Sequence, residues 1–145
     1  MSLAESPSIA ESLGLEVGQV VAEQTFALSR DTLVRYAGAS GDFNPIHYRD
    51  DVAASVGLPG VLAHGMLTMG VAVQPVVDWL DGRGWVSDYQ VRFTRPVVVD
   101  PQAGAEVTIT TTVGAIDDAG ARLDLAAVYE GQTVLGKAQV RISAH

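Results

Sequence analysis

Apolar and polar positions alternate in two different rhythms along this chain, and the change of rhythm near residue 84 organises the reading. Before it, Val20, Val21, Phe26 and Leu28 stand between polar residues and predict a first strand over 20–28. Ser29 then precedes an apolar-periodic run, Arg30 to Ala37, in which Leu33, Val34, Tyr36 and Ala37 supply a buried side. A serine hydroxyl can accept an orphan amide hydrogen of the first turn, so Ser29 is the expected N-cap, and Gly38 and Gly41 the expected stop. Asp50 is expected to cap a second short helix through Val56, ended by Gly57, with Leu58-Pro59-Gly60 as a turn. From about His64 to Leu80 the chain is apolar on nearly all sides, which predicts an enclosed helix. Pro75 inside it predicts a kink or an earlier end.

Past Asp81-Gly82-Arg83-Gly84 the period becomes two. Tyr89, Val91 and Phe93 alternate with Gln90, Arg92 and Thr94; Val107, Ile109, Thr111 and Val113 alternate with polar neighbours. Leu123, Leu125 and Ala127 continue the pattern, and Val134, Ala138, Val140 and Ile142 end it. Asp100-Pro101, Asp117-Asp118-Ala119-Gly120 and Glu130-Gly131 punctuate these runs as turns. Early helices and late strands predict an α+β domain, an antiparallel sheet with helices on one face. The specific expectation is that Val71, Val76 and Val77 of the long helix lie buried beneath Val91, Val107, Ile109 and Leu125. Residues 1–11, polar and rich in small side chains, read as a flexible arm ahead of a single domain that fills the 145-residue chain.

Composition narrows the function classes. A formal net charge of −8 repels phosphate backbones and anionic membranes, so nucleic acid and membrane insertion are not expected. With no cysteine, disulfides, thiolate metal sites and cysteine nucleophiles are excluded. The apolar stretch from Val61 to Leu80 is interrupted by His64, Gln74, Pro75 and Asp78, which favours a core helix over a membrane span. No signal-peptide pattern opens the chain, and a cytoplasmic location is expected.

Chemistry concentrates between Ala37 and Met66. Asp42 and His47 lie five apart on backbone that Pro45 keeps out of regular helix. A turn at Asn44-Pro45 can bring both side chains to one side, and a carboxylate beside an imidazole makes a general acid–base pair. Gly41 would let the backbone approach a ligand closely. By residue type alone a second reading stands: Gly-Asp-x-Asn-Pro as a mere turn, with Asp42 and Asn44 bonding their own backbone.

The string Gly41-Asp42-Phe43-Asn44-Pro45-Ile46-His47, then Asp50, then Ala63-His64-Gly65-Met66, resembles the MaoC-like family of (R)-specific enoyl thioester hydratases and dehydratases. Within it the chain is most similar to the catalytic subunit of actinobacterial (3R)-hydroxyacyl-carrier-protein dehydratases, through Tyr36-Ala37-Gly38, His64 to Gly70 and Tyr89 to Thr94. The resemblance implies a hotdog fold, a long helix wrapped by a curved antiparallel sheet, and a homodimer or a heterodimer with a related hotdog subunit. It implies Asp42 and His47 as the catalytic dyad, with the Gly65 backbone amide as the oxyanion contact. The start of a helix offers free amide hydrogens and a positive dipole end, which suits that role. Asn44 and Gly41 are expected to support the loop, and His64 to be structural. The implied substrates are acyl-CoA or acyl-carrier-protein thioesters, with no cofactor and no metal. The three histidines, His47, His64 and His145, with no clustered carboxylates, are not expected to form a zinc site. Some family members carry a serine at the position of Val73, where this chain offers no hydroxyl to support the dyad. A thioesterase, and a non-catalytic partner subunit of a heterodimeric dehydratase, are the alternatives on the same fold.

Overall fold

The computed structural model describes residues 5–145. The opening helix, α1 (Ile9–Leu13), starts at Ser8, whose hydroxyl accepts the Glu11 amide while the Glu11 side chain accepts the Ser8 amide. Ile9 is buried in the core. The expected arm is therefore corrected from Ile9 onward: a capping box, buried Ile9 and half-buried Ala10 and Leu13 dock this short helix on the core. The part of that expectation covering residues 1–4 lies outside the described residues.

Strand β1 (Val20–Leu28) leads into α2 (Arg30–Ser40), capped by Ser29 as expected. Gly38 stays inside the helix; Gly41 ends it, with φ +78. After an irregular loop comes α3 (Asp50–Ser55). Its N-cap position is Arg49 with no side-chain bond, and not Asp50. The Asp50 carboxylate is instead held at 2.8 and 3.1 Å by the Arg30 guanidinium. A bidentate fork outcompetes the local cap.

The long helix, α4 (Gly65–Leu80), runs through Pro75 without ending early. Pro75 is buried, and packing holds the helix despite the missing amide. Four long strands follow: β2 (Trp85–Phe93), β3 (Ala105–Asp117), β4 (Gly120–Tyr129) and β6 (Leu135–Ser143), with a two-residue β5 (Gln132–Thr133) beside β4. The antiparallel sheet has the order β1-β3-β4-β6-β2. Helix α4 packs on β1, β2, β3 and β4, giving the helix-on-curved-sheet arrangement of the hotdog fold.

The core lies where the two periods meet. Val107, Ile109, Val113, Leu123 and Val140 reach inward from alternate strand positions, and Ala72, Val76 and Leu80 come from α4. Of the expected packing, Val76, Val107, Ile109 and Leu125 are buried, while Val71 and Val91 are half-buried against the cluster. Val77 is a correction: it is 49% exposed. At 100° per residue, the face carrying Thr68, Ala72, Val76 and Leu80 points at the sheet, which turns Met66 and Val77 outward. Helix α4 is covered on one side and bare on the other, not enclosed.

Candidate active site

The loop from Gly41 to Tyr48 is built by short side chains bonding neighbouring backbone. The Ser40 hydroxyl accepts the Asp42 amide, Asp42 Oδ1 accepts the Asn44 amide at 3.1 Å, and Asn44 Oδ1 accepts the Ile46 amide at 3.2 Å. This chain of Asx turns opens into one 3₁₀ turn, η1 (Pro45–His47), with Pro45 at its start. The turn reading and the site reading of the sequence are therefore both realised. Asp42 spends Oδ1 on the turn and keeps Oδ2 free. Asn44 binds only backbone. Gly41 is required by its positive φ rather than by crowding, since no protein atom lies within 4 Å of a Cβ built there.

Leu62 fastens this loop to the entrance of α4. Its amide donates to the Ile46 carbonyl at 3.1 Å, and its carbonyl faces His47 Nδ1 at 2.7 Å. The segment is itself anchored, because the Ala63 and Val99 amides bond the Val97 and Val61 carbonyls. A carbonyl only accepts, so His47 Nδ1 carries the proton and Nε2 of the neutral ring is a bare acceptor. Nε2 lies 3.9 Å from Asp42 Oδ2. The histidine is nearly buried and the carboxylate half-exposed, so the pair faces outward from a fixed base.

His64 sits beneath this pair and is 1% exposed. Its Nε2 donates to the Asp42 carbonyl at 3.1 Å, its ring stacks on His47 at 3.9 Å, and Tyr36 meets it edge-on. Burial pushes its pKa below the ordinary 6.5 and keeps it neutral. Its Nδ1 is buried without a partner, a feature that typically costs about 1–3 kcal/mol. The spacing of 22 residues between Asp42 and His64 gave no sign of this contact in the sequence. Asp42, His47 and His64 each offer a donor atom within 4.8 Å of the others. The two rings lie nearly parallel, so their lone pairs run side by side rather than converge, and one nitrogen of each already binds a carbonyl.

Gly65 is the first residue of α4, so its amide hydrogen has no helical carbonyl to bond. A Cβ there would meet the Phe93 ring at 3.0 Å. Beside it opens a cleft of about 330 Å³, lined by His47, Leu62, Gly65 and Thr68 on one side and by Phe93 and Leu135 on the other. The fold thus brings all three sequence-predicted groups, Asp42, His47 and Gly65, to one place. Val73 lies on α4, half-buried against the core.

Comparison with known proteins gives the family. The family model described as "MaoC like domain" matches residues 13–123. The chain is 37% identical over 73 residues to 3-hydroxyacyl-thioester dehydratase X of Mycobacterium tuberculosis, covering 50% of this chain and 25% of that protein. It is 32% identical over 87 residues to the (R)-specific enoyl-CoA hydratase of Rhodospirillum rubrum, covering 59% of this chain and 60% of the relative. A solved structure named MaoC-like dehydratase superposes with a TM-score of 0.85 at 31% identity, over 96% of this chain and 42% of the other. The chain spans between a quarter and three-fifths of the length of these curated relatives. Among the described residues, no helix is long and apolar enough to cross a membrane.

Proposed function

The chain belongs to the MaoC-like domain family, and from that premise we propose that it is a hydro-lyase interconverting trans-2-enoyl and (R)-3-hydroxyacyl thioesters of CoA or an acyl carrier protein. The observation that carries this reading is the 3.9 Å gap between His47 Nε2 and Asp42 Oδ2, beside the free Gly65 amide. Both facing atoms are acceptors when the histidine is neutral and the aspartate ionised. A water between them can donate a hydrogen to each, which leaves an oxygen lone pair aimed outward. With C3 of an enoyl thioester against that lone pair, the oxygen attacks as the dyad takes a proton. Charge moves through C2 to the thioester oxygen, where the Gly65 amide and the dipole of α4 hold it. A proton returned to C2 completes the hydration, and dehydration is the reverse. The reaction adds or removes water with no change of oxidation level, and each step of the proposal is assigned to Asp42, His47 and the Gly65 amide.

A hotdog partner subunit completes the proposal. The edge strand β2 carries half-exposed Trp85 and Phe93, and the bare side of α4 carries Met66 and Val77. An apolar edge beside an apolar helix face is a surface that a second sheet would cover. Sedimentation should give a dimer at micromolar concentration, of this chain alone or with a related subunit; a stable monomer in both experiments contradicts it.

The decisive assay for the reaction follows the purified chain on short and long trans-2-enoyl-CoA. Loss of the conjugated double bond with the CoA still attached, and (R)-3-hydroxyacyl-CoA as the product, is the expected result. Release of free CoA without hydration would establish a thioesterase instead.

A further inference from the structure

Asp42 is tied down through every polar group but one. Its amide donates to the Ser40 hydroxyl, its Oδ1 accepts the Asn44 amide, and its carbonyl accepts His64 Nε2–H, which leaves Oδ2. His47 is held by its amide, on the Asn44 carbonyl at 3.0 Å, and by Nδ1, on the Leu62 carbonyl, which leaves Nε2 as the free ring nitrogen. Ser40 and Asn44 make their bonds within the loop or at its edge. His64 comes from outside it, 22 residues beyond Asp42, and touches both members of the pair: Nε2 holds the Asp42 backbone and the ring face lies 3.9 Å from that of His47.

The same residue carries the third group of the site. His64 is the N-cap position of α4, so the amide of Gly65 belongs to the peptide that His64 begins. The carbonyl of that peptide accepts the Thr68 amide at 3.2 Å and lies 3.5 Å from the Thr68 hydroxyl. A trans peptide is planar, so a carbonyl fastened along the helix turns the Gly65 N–H the opposite way, out of the helix start. The imidazole itself is gripped from a second side by Tyr36, whose ring meets it edge-on with centroids 4.7 Å apart. A second proton would sit on Nδ1, which is buried with no partner, so the ring keeps one proton, on the nitrogen that holds Asp42. Filling this space does not require that orphan nitrogen. An apolar ring would pack there without its cost, so the imidazole is explained by what Nε2 and the ring face do.

We propose that His64 is the positioning residue that registers the dyad against the Gly65 amide: its ring sets the aim of Asp42 and His47, and its own peptide carries the N–H that receives the oxyanion. The inference rests on the hydro-lyase reading and adds how the parts of that site keep their distances. Asp42 and His47 lie on a loop held by single hydrogen bonds, whereas Gly65 lies on a helix packed against the sheet. Addition of water across C2 and C3 needs the two places in register, because the water is held at one and the developing charge at the other. A rigid aromatic side chain rooted at the helix start and reaching under the loop supplies that register with few rotatable bonds.

The test divides the two contacts of the ring. His64→Gln keeps an N–H donor where Nε2 stands and removes the stacked face; His64→Phe keeps the face and removes the donor. Assayed on a trans-2-enoyl-CoA at a temperature where each is folded, both should lose about ten- to a hundred-fold in kcat with KM nearly unchanged, the cost of a small misplacement of reacting groups. Ile109→Val, a loss of core packing, should lower the melting temperature and keep kcat, which separates positioning from stability. Placed on His47→Gln, either His64 substitution should cost little further rate, because a positioning residue acts through the group it positions. Proton NMR of the imidazoles reads the stack without catalysis: the His47 Nδ1 proton should exchange with water faster in His64→Gln and stay slow in His64→Phe. Wild-type kcat in both variants, a full further loss on His47→Gln, or an unchanged His47 proton in His64→Gln each overturns the positioning role and leaves the hydro-lyase reading standing. Failure of the wild type to hydrate, with the His47 proton freed in His64→Gln as expected, overturns the reaction and not the register.

Discussion

The sheet and the loop from Gly41 to Tyr48 are held together by opposite means. Strands β3, β4 and β6 interlock through many equivalent apolar contacts, in which Val107, Ile109, Leu123, Val140 and Ile142 are all fully buried. The loop has almost no apolar anchor of its own. Phe43 is 60% exposed, and what fixes the backbone is a file of single hydrogen bonds from Ser40, Asp42, Asn44 and Leu62. The first region is redundant and tolerates local loss by sharing it. The second is directional, and each bond sets the aim of one atom. Stability should therefore reside in the sheet and chemistry in the loop, with little exchange between them.

The sharpest way to break this contrast is to damage the sheet. Ile109→Ala removes a fully buried side chain from the middle of β3 and should cost about 2–5 kcal/mol in urea unfolding. At temperatures where the variant is still folded, kcat should stay near wild type. A large fall in kcat of the folded variant would show that the two regions are not separable.

A smaller effect sharpens the boundary at His64, which is buried beneath the loop with its Nε2 on the Asp42 carbonyl. Its folded pKa lies below the ordinary 6.5, so on acidification the unfolded chain takes up the proton first. His64 therefore contributes stability that is present above about pH 6.5 and is lost as pH falls from there toward its lowered folded value. Urea midpoints measured across about pH 5 to 7.5 should decline on the acid side in wild type. In His64→Asn they should be lower at neutral pH and decline less on acidification. Parallel curves for the two proteins would remove His64 from the account.

How far the sequence could be read follows the same division. Strand β1 and helix α2 were legible because period, cap and glycine stop act within a few residues, and the late strands because alternation is local. Asp42, His47 and Gly65 were legible through a motif string. What was not legible depends on distant chain. Val77 turns outward because of where the sheet lies, and Asp50 leaves its cap because Arg30, twenty residues away in sequence, takes its carboxylate. His64 reads as structural in the sequence, but its partners, the stacked His47 ring and the Asp42 carbonyl, lie too far along the chain to be read. The docking of α1 was hidden because its apolar residues, Ile9, Ala10 and Leu13, are too few to show a period.

The central claim is that Asp42 and His47 act on one water. It is tested most directly by hydration of a trans-2-enoyl thioester by Asp42→Asn, His47→Gln and the double variant. Both substitutions keep shape and remove the acceptor that the water needs. Each single variant should lose about a hundred- to ten-thousand-fold in rate with a nearly unchanged melting temperature. The double variant should be little worse than the worse single, because two groups serving one step do not contribute independently. Wild-type hydration rates in both single variants would contradict the assignment, and losses that multiply in the double variant would show that the two residues do not share a water.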